Sequence, residues 1–224
     1  MDPEEDGGLL GALQNFNKSK LRQTTTKVTT TDGRLFVEKR GGDGDFVQNK
    51  VDCDPKYGFV VDPNADLQVG EIVPGLILGS QDIAVDESIL KKYHVTHILN
   101  MATLIKNMFP DRFVYKTIDL LDVPDTNILP HFDEAFKFIE EGRQARCTLV
   151  HCNAGISRSS TVVIAYLMRT YGVTLQVAYD HVKSKRSRIR PNAGFQSQLK
   201  AYEKELLEKG LIDTTKTLDD NVLG

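Results

Sequence analysis

Short apolar strand segments alternate with helical segments through most of this chain, and that alternation limits the fold more than any other feature. "LQVGEIVPGLILGS" reads as two short strands broken near Pro74-Gly75. "DESILKKYH" is helical, "VTHILNMA" is a buried strand, and "FVYKTIDL" is another strand. Phe132, Ala135, Phe136 and Ile139 fall at i, i+3, i+4 and i+7, so a helix there turns one apolar face inward. "CTLVH" is a strand and "RSSTVVIAYLMRTYG" a helix closed by Gly172. Thr174 suits the N-cap of a further helix carrying Leu175, Ala178 and Val182. Phe195, Leu199, Tyr202 and Leu206 mark the last helix. Strands separated by helices imply an α/β fold: a single domain with a central, mostly parallel sheet of about five strands flanked by helices.

Residues 1–65 have a different composition, rich in Gly, Asp, Lys and Thr, and read as a partly flexible N-terminal arm. Within it "TTTKVTTTDGRLFVEK" suits a hairpin, because Asp32-Gly33 fits a two-residue turn, and "KRGGDGD" reads as flexible punctuation. Residues 66–207 form the globular part, and 208–224 are a polar tail expected to fray from about Gly210. A length of 224 residues accommodates one domain of roughly 150 residues with extensions. The net charge of −3 gives no pull toward nucleic acid or an anionic membrane. No apolar run approaches the ~20 residues that span a bilayer. The acidic N-terminus carries no secretory pattern. The cysteines Cys53, Cys147 and Cys152 are too few for a disulfide framework and lack Cys-x-x-Cys spacing for zinc. A reducing, cytoplasmic location is expected, and it suits a free reactive thiol.

The stretch "TLVHCNAGISRSS", residues 148–160, is a strand, a tight loop and a helix start. In open α/β sheets ligands settle at the carboxyl ends of the strands. Ala154 and Gly155 permit a tight curve in which the backbone N–H groups of Asn153, Ala154, Gly155, Ile156 and Ser157 turn inward as an anion nest. The helix beginning near Arg158 adds its positive end. Arg158 contributes a planar two-pronged donor that fits two oxygens of a phosphoryl group. Inward dipoles and this guanidinium favour Cys152 as a thiolate ready to attack phosphorus. The hydroxyl of Ser159 or Ser160 can donate to the sulfur. Strand alternation turns His151 away from Cys152, which suits bracing of the loop from behind better than general-base work. The five-residue spacing of Cys147 and Cys152 likewise points them to opposite faces.

The pattern H-C-x-x-G-x-x-R-S, met here by His151, Cys152, Gly155, Arg158 and Ser159, resembles the signature of cysteine-dependent protein phosphatases. "LILGSQDIA", "VTHILNMA" and "RPNAGFQSQL" are similar to landmarks of the dual-specificity branch, and the likeness runs over residues 66–207, which it identifies as the catalytic domain. It is nearest the small, atypical members that lack a kinase-docking domain. The resemblance implies a phosphocysteine intermediate, no metal and no cofactor, and a leaving group protonated by a carboxylic acid on another loop. Asp119, Asp122 and Asp125 are the candidates in "TIDLLDVPDTNILPHF". In the dual-specificity branch this acid stands five residues before an Asn, a spacing met by Asp122 and Asn127. Asn192 either caps the last helix or braces the catalytic loop. The basic run Lys183 to Arg190 is either a solvated helix end or an attraction for acidic partners.

A missing phosphotyrosine-depth loop ahead of Val69 implies a shallow cleft open to phosphoserine, phosphothreonine and phosphotyrosine. The resemblance points to phosphorylated protein substrates, among them MAP kinase pathway kinases of the stress-activated type. Two other readings stand beside it. One is a phosphatase for a phosphoinositide or RNA 5′ end, against which the uncharged variable positions Asn153, Ala154, Ile156 and Ser157 count. The other is a kinase scaffold with incidental catalysis.

Overall fold

Apolar strands four residues long cannot each bury both faces alone, and in the computed structural model five of them pair into one sheet. The structure describes residues 65–218 and, ahead of them, only three strands. The chain divides into two compact units, Met1–Val60 and Val61–Gly224.

The first unit contains β1 (Thr25–Thr29), β2 (Leu35–Arg40) and β3 (Phe46–Lys50), an antiparallel meander in that order. The expected hairpin is β1 with β2, where Thr29 pairs with Leu35. Its turn at Asp32-Gly33 lies outside the described residues, as does Cys53. Lys39 and Arg40, read as the start of the punctuation "KRGGDGD", instead extend β2 and pair with Val47 and Phe46; the rest of that run lies outside the described residues. The third strand escaped the sequence reading.

In the second unit β4 (Gly70–Val73), β5 (Leu76–Gly79), β6 (His97–Asn100), β7 (Val114–Thr117) and β8 (Thr148–His151) lie in the order β4-β5-β8-β6-β7. Only β4 runs antiparallel to its neighbour. It turns into β5 at Pro74-Gly75, and Gly75 takes φ 76°, a conformation that disfavours any side chain. Successive residues face opposite sides of a strand. Ile77, Leu149 and Ile98 therefore share one core with Ile83 and Leu90. Leu78, Val150 and Leu99 face the larger core on the other side.

Helices α1 (Gln81–Val85) and α2 (Glu87–Lys92) supply the smaller core. Helices α3 (Phe132–Ala145), α4 (Arg158–Tyr171), α5 (Leu175–Lys185) and α6 (Ala193–Glu208) supply the larger one. Side chains cap several of the starts. The Asp86 carboxylate accepts from the Ser88 and Ile89 N–H groups, and the Thr174 hydroxyl accepts from Val177 N–H. Gly172, at φ 65°, ends α4. Every α4 residue from Arg158 to Met168 is buried, which makes it the central helix. Full burial of Val162, Val163, Ile164 and Leu167 contributes about 1.5–3 kcal/mol each relative to exposure.

Two differences from the sequence reading concern short segments. Helix α1 went unread because five residues show no period, although Ser80 caps it by accepting from Asp82 N–H. The polar end does not fray at once: Ile212 is buried, Asp213 N–H donates to Gly172 O at 2.8 Å, and Leu218 packs against the larger core. Among the described residues no helix is long and apolar enough to cross a membrane. Gly79, His151 and Asn100 end three neighbouring strands side by side. The loops that follow them consequently leave from a single edge of the sheet, the carboxyl edge, where an α/β fold places its ligands.

Candidate active site

Residues 152–157 join β8 to α4, and their carbonyls are all turned outward into hydrogen bonds between Asn153 and Ile156. Asn153 O accepts from Gln81 N–H at 2.9 Å and Ile156 O from Arg190 N–H at 2.8 Å. Ala154 O and Gly155 O both accept from the Arg186 guanidinium, each at 2.9 Å. A trans peptide points its N–H opposite to its carbonyl, and no peptide here is cis. Outward carbonyls thus aim the N–H groups of Ala154, Gly155, Ile156 and Ser157 into the concave side of the loop. Among the described residues none of these four donates to a protein acceptor. Gly155 sits at φ 64°, and a Cβ there would lie 2.2 Å from Gly79 O, so the curve excludes any side chain.

Cys152 heads this loop, 1% exposed, and accepts a hydrogen bond from Ser159 Oγ at 3.2 Å. Ser160 faces elsewhere: its hydroxyl donates back to Ile156 O and Ser157 O at 2.6 and 2.9 Å. Of the two serines left open by the sequence, Ser159 is the one that touches the sulfur.

Arg158 is 7% exposed. Its Nη1 donates to Leu120 O at 2.9 Å and Met101 O at 3.3 Å, and its Nη2 to Asn153 Oδ1 at 2.7 Å. That leaves Nε–H, buried and without a hydrogen-bond partner, together with one Nη2–H. Nε and Nη2 lie on one edge of the guanidinium, and such an edge can grip two oxygens of a tetrahedral anion.

Asp122 Oδ2 lies 3.6 Å from Arg158 Nε. Its Oδ1 accepts from Ser157 Oγ at 2.7 Å and from Asn192 Nδ2 at 2.9 Å. Asp119 and Asp125 are exposed, as Asp122 is, but only Asp122 is linked to the loop and to Arg158 among the described contacts. Asn192 makes contacts in two directions. Its Oδ1 caps α6 by accepting from Phe195 N–H at 2.9 Å, while its own N–H donates to Ser157 Oγ at 3.1 Å. The spacing partner Asn127 is exposed.

His151 is 2% exposed, with Nδ1 3.3 Å from Cys152 O. A carbonyl only accepts, so Nδ1 carries the proton in that contact. Burial, with the Arg158 charge as a smaller cause, lowers the imidazole to about 4, so the ring is neutral near pH 7. Cys147 belongs to the opposite core, where burial pushes its thiol up to about 12.

Several residues of this site carried no sequence signal. Arg186, inside a run that reads as a solvated helix end, has no exposure at all. Asn100 is fully buried. It donates to Ile105 O and accepts from Ala102 N–H, both at 2.9 Å, shaping the loop whose Met101 carbonyl holds Arg158. Gln198 takes Ile128 N–H at 2.9 Å and gives to Thr126 O at 2.8 Å, tying the Asp122 loop to α6. Ser157 and Asn192 hold Asp122 through pairings 35 and 70 residues apart in sequence, which a local pattern does not reveal.

Residues 76–205 match the family described as "Dual specificity phosphatase, catalytic domain". The chain belongs to the dual-specificity phosphatases. It is 44% identical over 196 residues to mouse (Mus musculus) dual specificity protein phosphatase 19, covering 85% of this chain and 88% of that protein. This places the dual-specificity phosphatase described here in the atypical branch expected from its sequence. MAP kinase phosphatase with leucine-rich repeats protein 1 of Dictyostelium discoideum is 45% identical over 149 residues, covering 64% of this chain but 18% of that longer protein. The crystal structure of human tyrosine phosphatase-like serine/threonine/tyrosine-interacting protein superposes with a TM-score of 0.60 at 39% identity, over 62% of this chain and 97% of that one.

Proposed function

We propose that this dual-specificity phosphatase hydrolyses phosphotyrosine, phosphoserine and phosphothreonine in proteins through a phosphocysteine intermediate on Cys152. The observation that carries the reading is the loop itself: its carbonyls are all engaged from outside, its N–H groups converge without protein acceptors, and a sulfur stands at its head.

In the first half-reaction the Cys152 thiolate attacks phosphorus in line with the leaving oxygen. The loop N–H groups and the free Arg158 edge take the three equatorial oxygens as charge spreads over them. The P–O ester bond breaks, and the leaving oxygen takes the proton from Asp122 Oδ2, because Oδ1 is occupied by Ser157 and Asn192. In the second half-reaction water attacks the thiophosphate, Asp122 accepts its proton, and the P–S bond breaks. Ser159 donates to the departing sulfur, which stabilises the thiolate as a leaving group. Neutral His151 moves no proton in this scheme and braces Cys152 O from behind. Chain groups alone complete both steps, so hydrolysis of an aryl phosphate proceeds in the presence of chelator. Cys152→Ser abolishes that turnover; retained activity in the variant would refute a sulfur nucleophile.

The physiological substrate we infer is a phosphorylated kinase of a MAP kinase pathway, supported by the similarity to the Dictyostelium MAP kinase phosphatase and by the family resemblance of the sequence. A pull-down with Asp122→Ala, slowed but still able to bind, retains a phosphorylated kinase from a stressed-cell lysate. Retention of none, with the variant confirmed slow on aryl phosphate, would leave the site's chemistry standing and remove the pathway.

A further inference from the structure

We propose that Arg186 is a positioning residue for the nucleophile: held by the Asp66 carboxylate, its guanidinium grips the carbonyls of Ala154 and Gly155 from behind and so aims the N–H groups of Gly155 and Ile156 at the phosphoryl oxygens. The proposal rests on the phosphatase reading of that loop and adds a residue to it that never touches substrate.

A cation with no exposure is costly to bury unless it is paired and its donors are all used. Arg186 is paired and places four of its five N–H donors, on one carboxylate and three carbonyls. Nε donates to Gly155 O and Nη2 to Ala154 O, each at 2.9 Å; Nη2 also reaches Asp66 Oδ2 at 2.6 Å, and Nη1 donates to Gln68 O. Asp66 is itself held from outside by Arg188 Nη1 at 2.9 Å. The side chain is wedged on both flanks. A Cβ on Gly70 would stand 2.9 Å from Arg186 Cβ, and one on Gly155 would stand 2.9 Å from Arg186 Nη2. Arg186 is also the C-cap residue of α5, so a rigid helix sets its starting point.

The geometry has an electrostatic consequence. Two adjacent peptide units of the anion nest have a full positive charge on their carbonyl side and the phosphoryl site on their N–H side. The cation polarises each unit along its own dipole, and the N–H end becomes a stronger donor to an anion. It also removes the freedom of these peptides to flip, which would present a carbonyl to the phosphate instead. The planar fork matters here. A lysine ammonium offers one centre and cannot hold two successive carbonyls and a carboxylate in a single plane. Asp66 then has a stated purpose: it neutralises and orients the guanidinium without approaching the loop.

The test compares the full-length protein with Arg186→Lys, Arg186→Gln and Asp66→Asn, with Lys185→Gln as an exposed neighbour. Circular dichroism and thermal melts establish which variants fold. Three quantities are then read: kcat and KM on an aryl phosphate, the pH dependence of iodoacetate alkylation of Cys152, and protection from alkylation by inorganic phosphate or vanadate. A folded Arg186→Lys loses about 10–100-fold in kcat, the rate equivalent of buried carbonyls left without donors. Its alkylation profile departs from the wild-type one, and phosphate protects it less well. Lys185→Gln matches wild type in all three. A folded Arg186 variant with a wild-type alkylation profile and full phosphate protection overturns the proposal, whatever its kcat. If neither Arg186 variant folds, Asp66→Asn decides on the same readouts: a shifted profile with weaker protection supports the clamp, and an unchanged one overturns it. A wild-type protein that shows neither turnover nor protection refutes the phosphatase reading first, and is told apart because no variant is then needed.

Discussion

One carboxylate oxygen at Asp122 is occupied by two donors and the other faces Arg158, and that asymmetry makes the acid testable. Asp122→Asn lowers kcat on an alkyl phosphate by about 10²–10⁴-fold and on a p-nitrophenyl ester by much less, since nitrophenolate needs no proton. Steady-state kinetics on the two esters measure the difference, and equal losses would place the acid elsewhere. His151 supplies a prediction about stability. Its imidazole falls from 6.5 to about 4 on folding, through burial. Between those values the unfolded chain binds a proton that the native protein refuses. Its contribution is therefore complete above pH ~6.5 and is lost as pH falls toward about 4, a change of about 3 kcal/mol. Urea unfolding across that interval shows a steeper loss for wild type than for His151→Gln. The buried Cys147 thiol, raised to about 12, stays unreactive toward iodoacetate at pH 8 in the native protein and reacts after unfolding.

Helix α6 does more than close the larger core, because its first two turns hold the Asp122 loop. A Cβ on Gly194 would lie 1.8 Å from Pro124 O. Gly194→Ala therefore pushes that loop away, and kcat on alkyl phosphates falls while the alkylation rate of Cys152 is unchanged; a parallel drop in both would show that the loop and the nucleophile are not separable. What the sequence disclosed follows the same division. Strand β8, the Cys152 loop and α4 were legible because their determinants are contiguous: an apolar run, a glycine at the bend, and Arg158 opening a helical period. Asp122 could be selected among three carboxylates only through a family spacing, and Ser159 could not be separated from Ser160, since both choices depend on where side chains point. Helix α1 is too short to carry a period. Arg186 was hidden among charges because its partner Asp66 lies 120 residues away.

At the scale of the molecule, the family match over residues 76–205 falls within one compact unit, and the β1–β3 meander belongs to the other. Removing residues 1–60 leaves kcat/KM on aryl phosphate within about twofold of the full chain, and any loss of partner binding in a pull-down then belongs to the removed unit. Loss of activity with loss of native circular dichroism would mean that the second unit needs the first to fold. The sheet also keeps two sulfurs apart: Cys152 contributes to one core and Cys147 to the other. Peroxide that converts Cys152 to a sulfenic acid therefore leaves it without Cys147 to condense with. Within the described unit, water is lost instead in closing a sulfenamide on a backbone nitrogen, or in joining a thiol from outside it. Recovery from oxidative stress would then follow the surrounding thiol pool and not an exchange between these two positions.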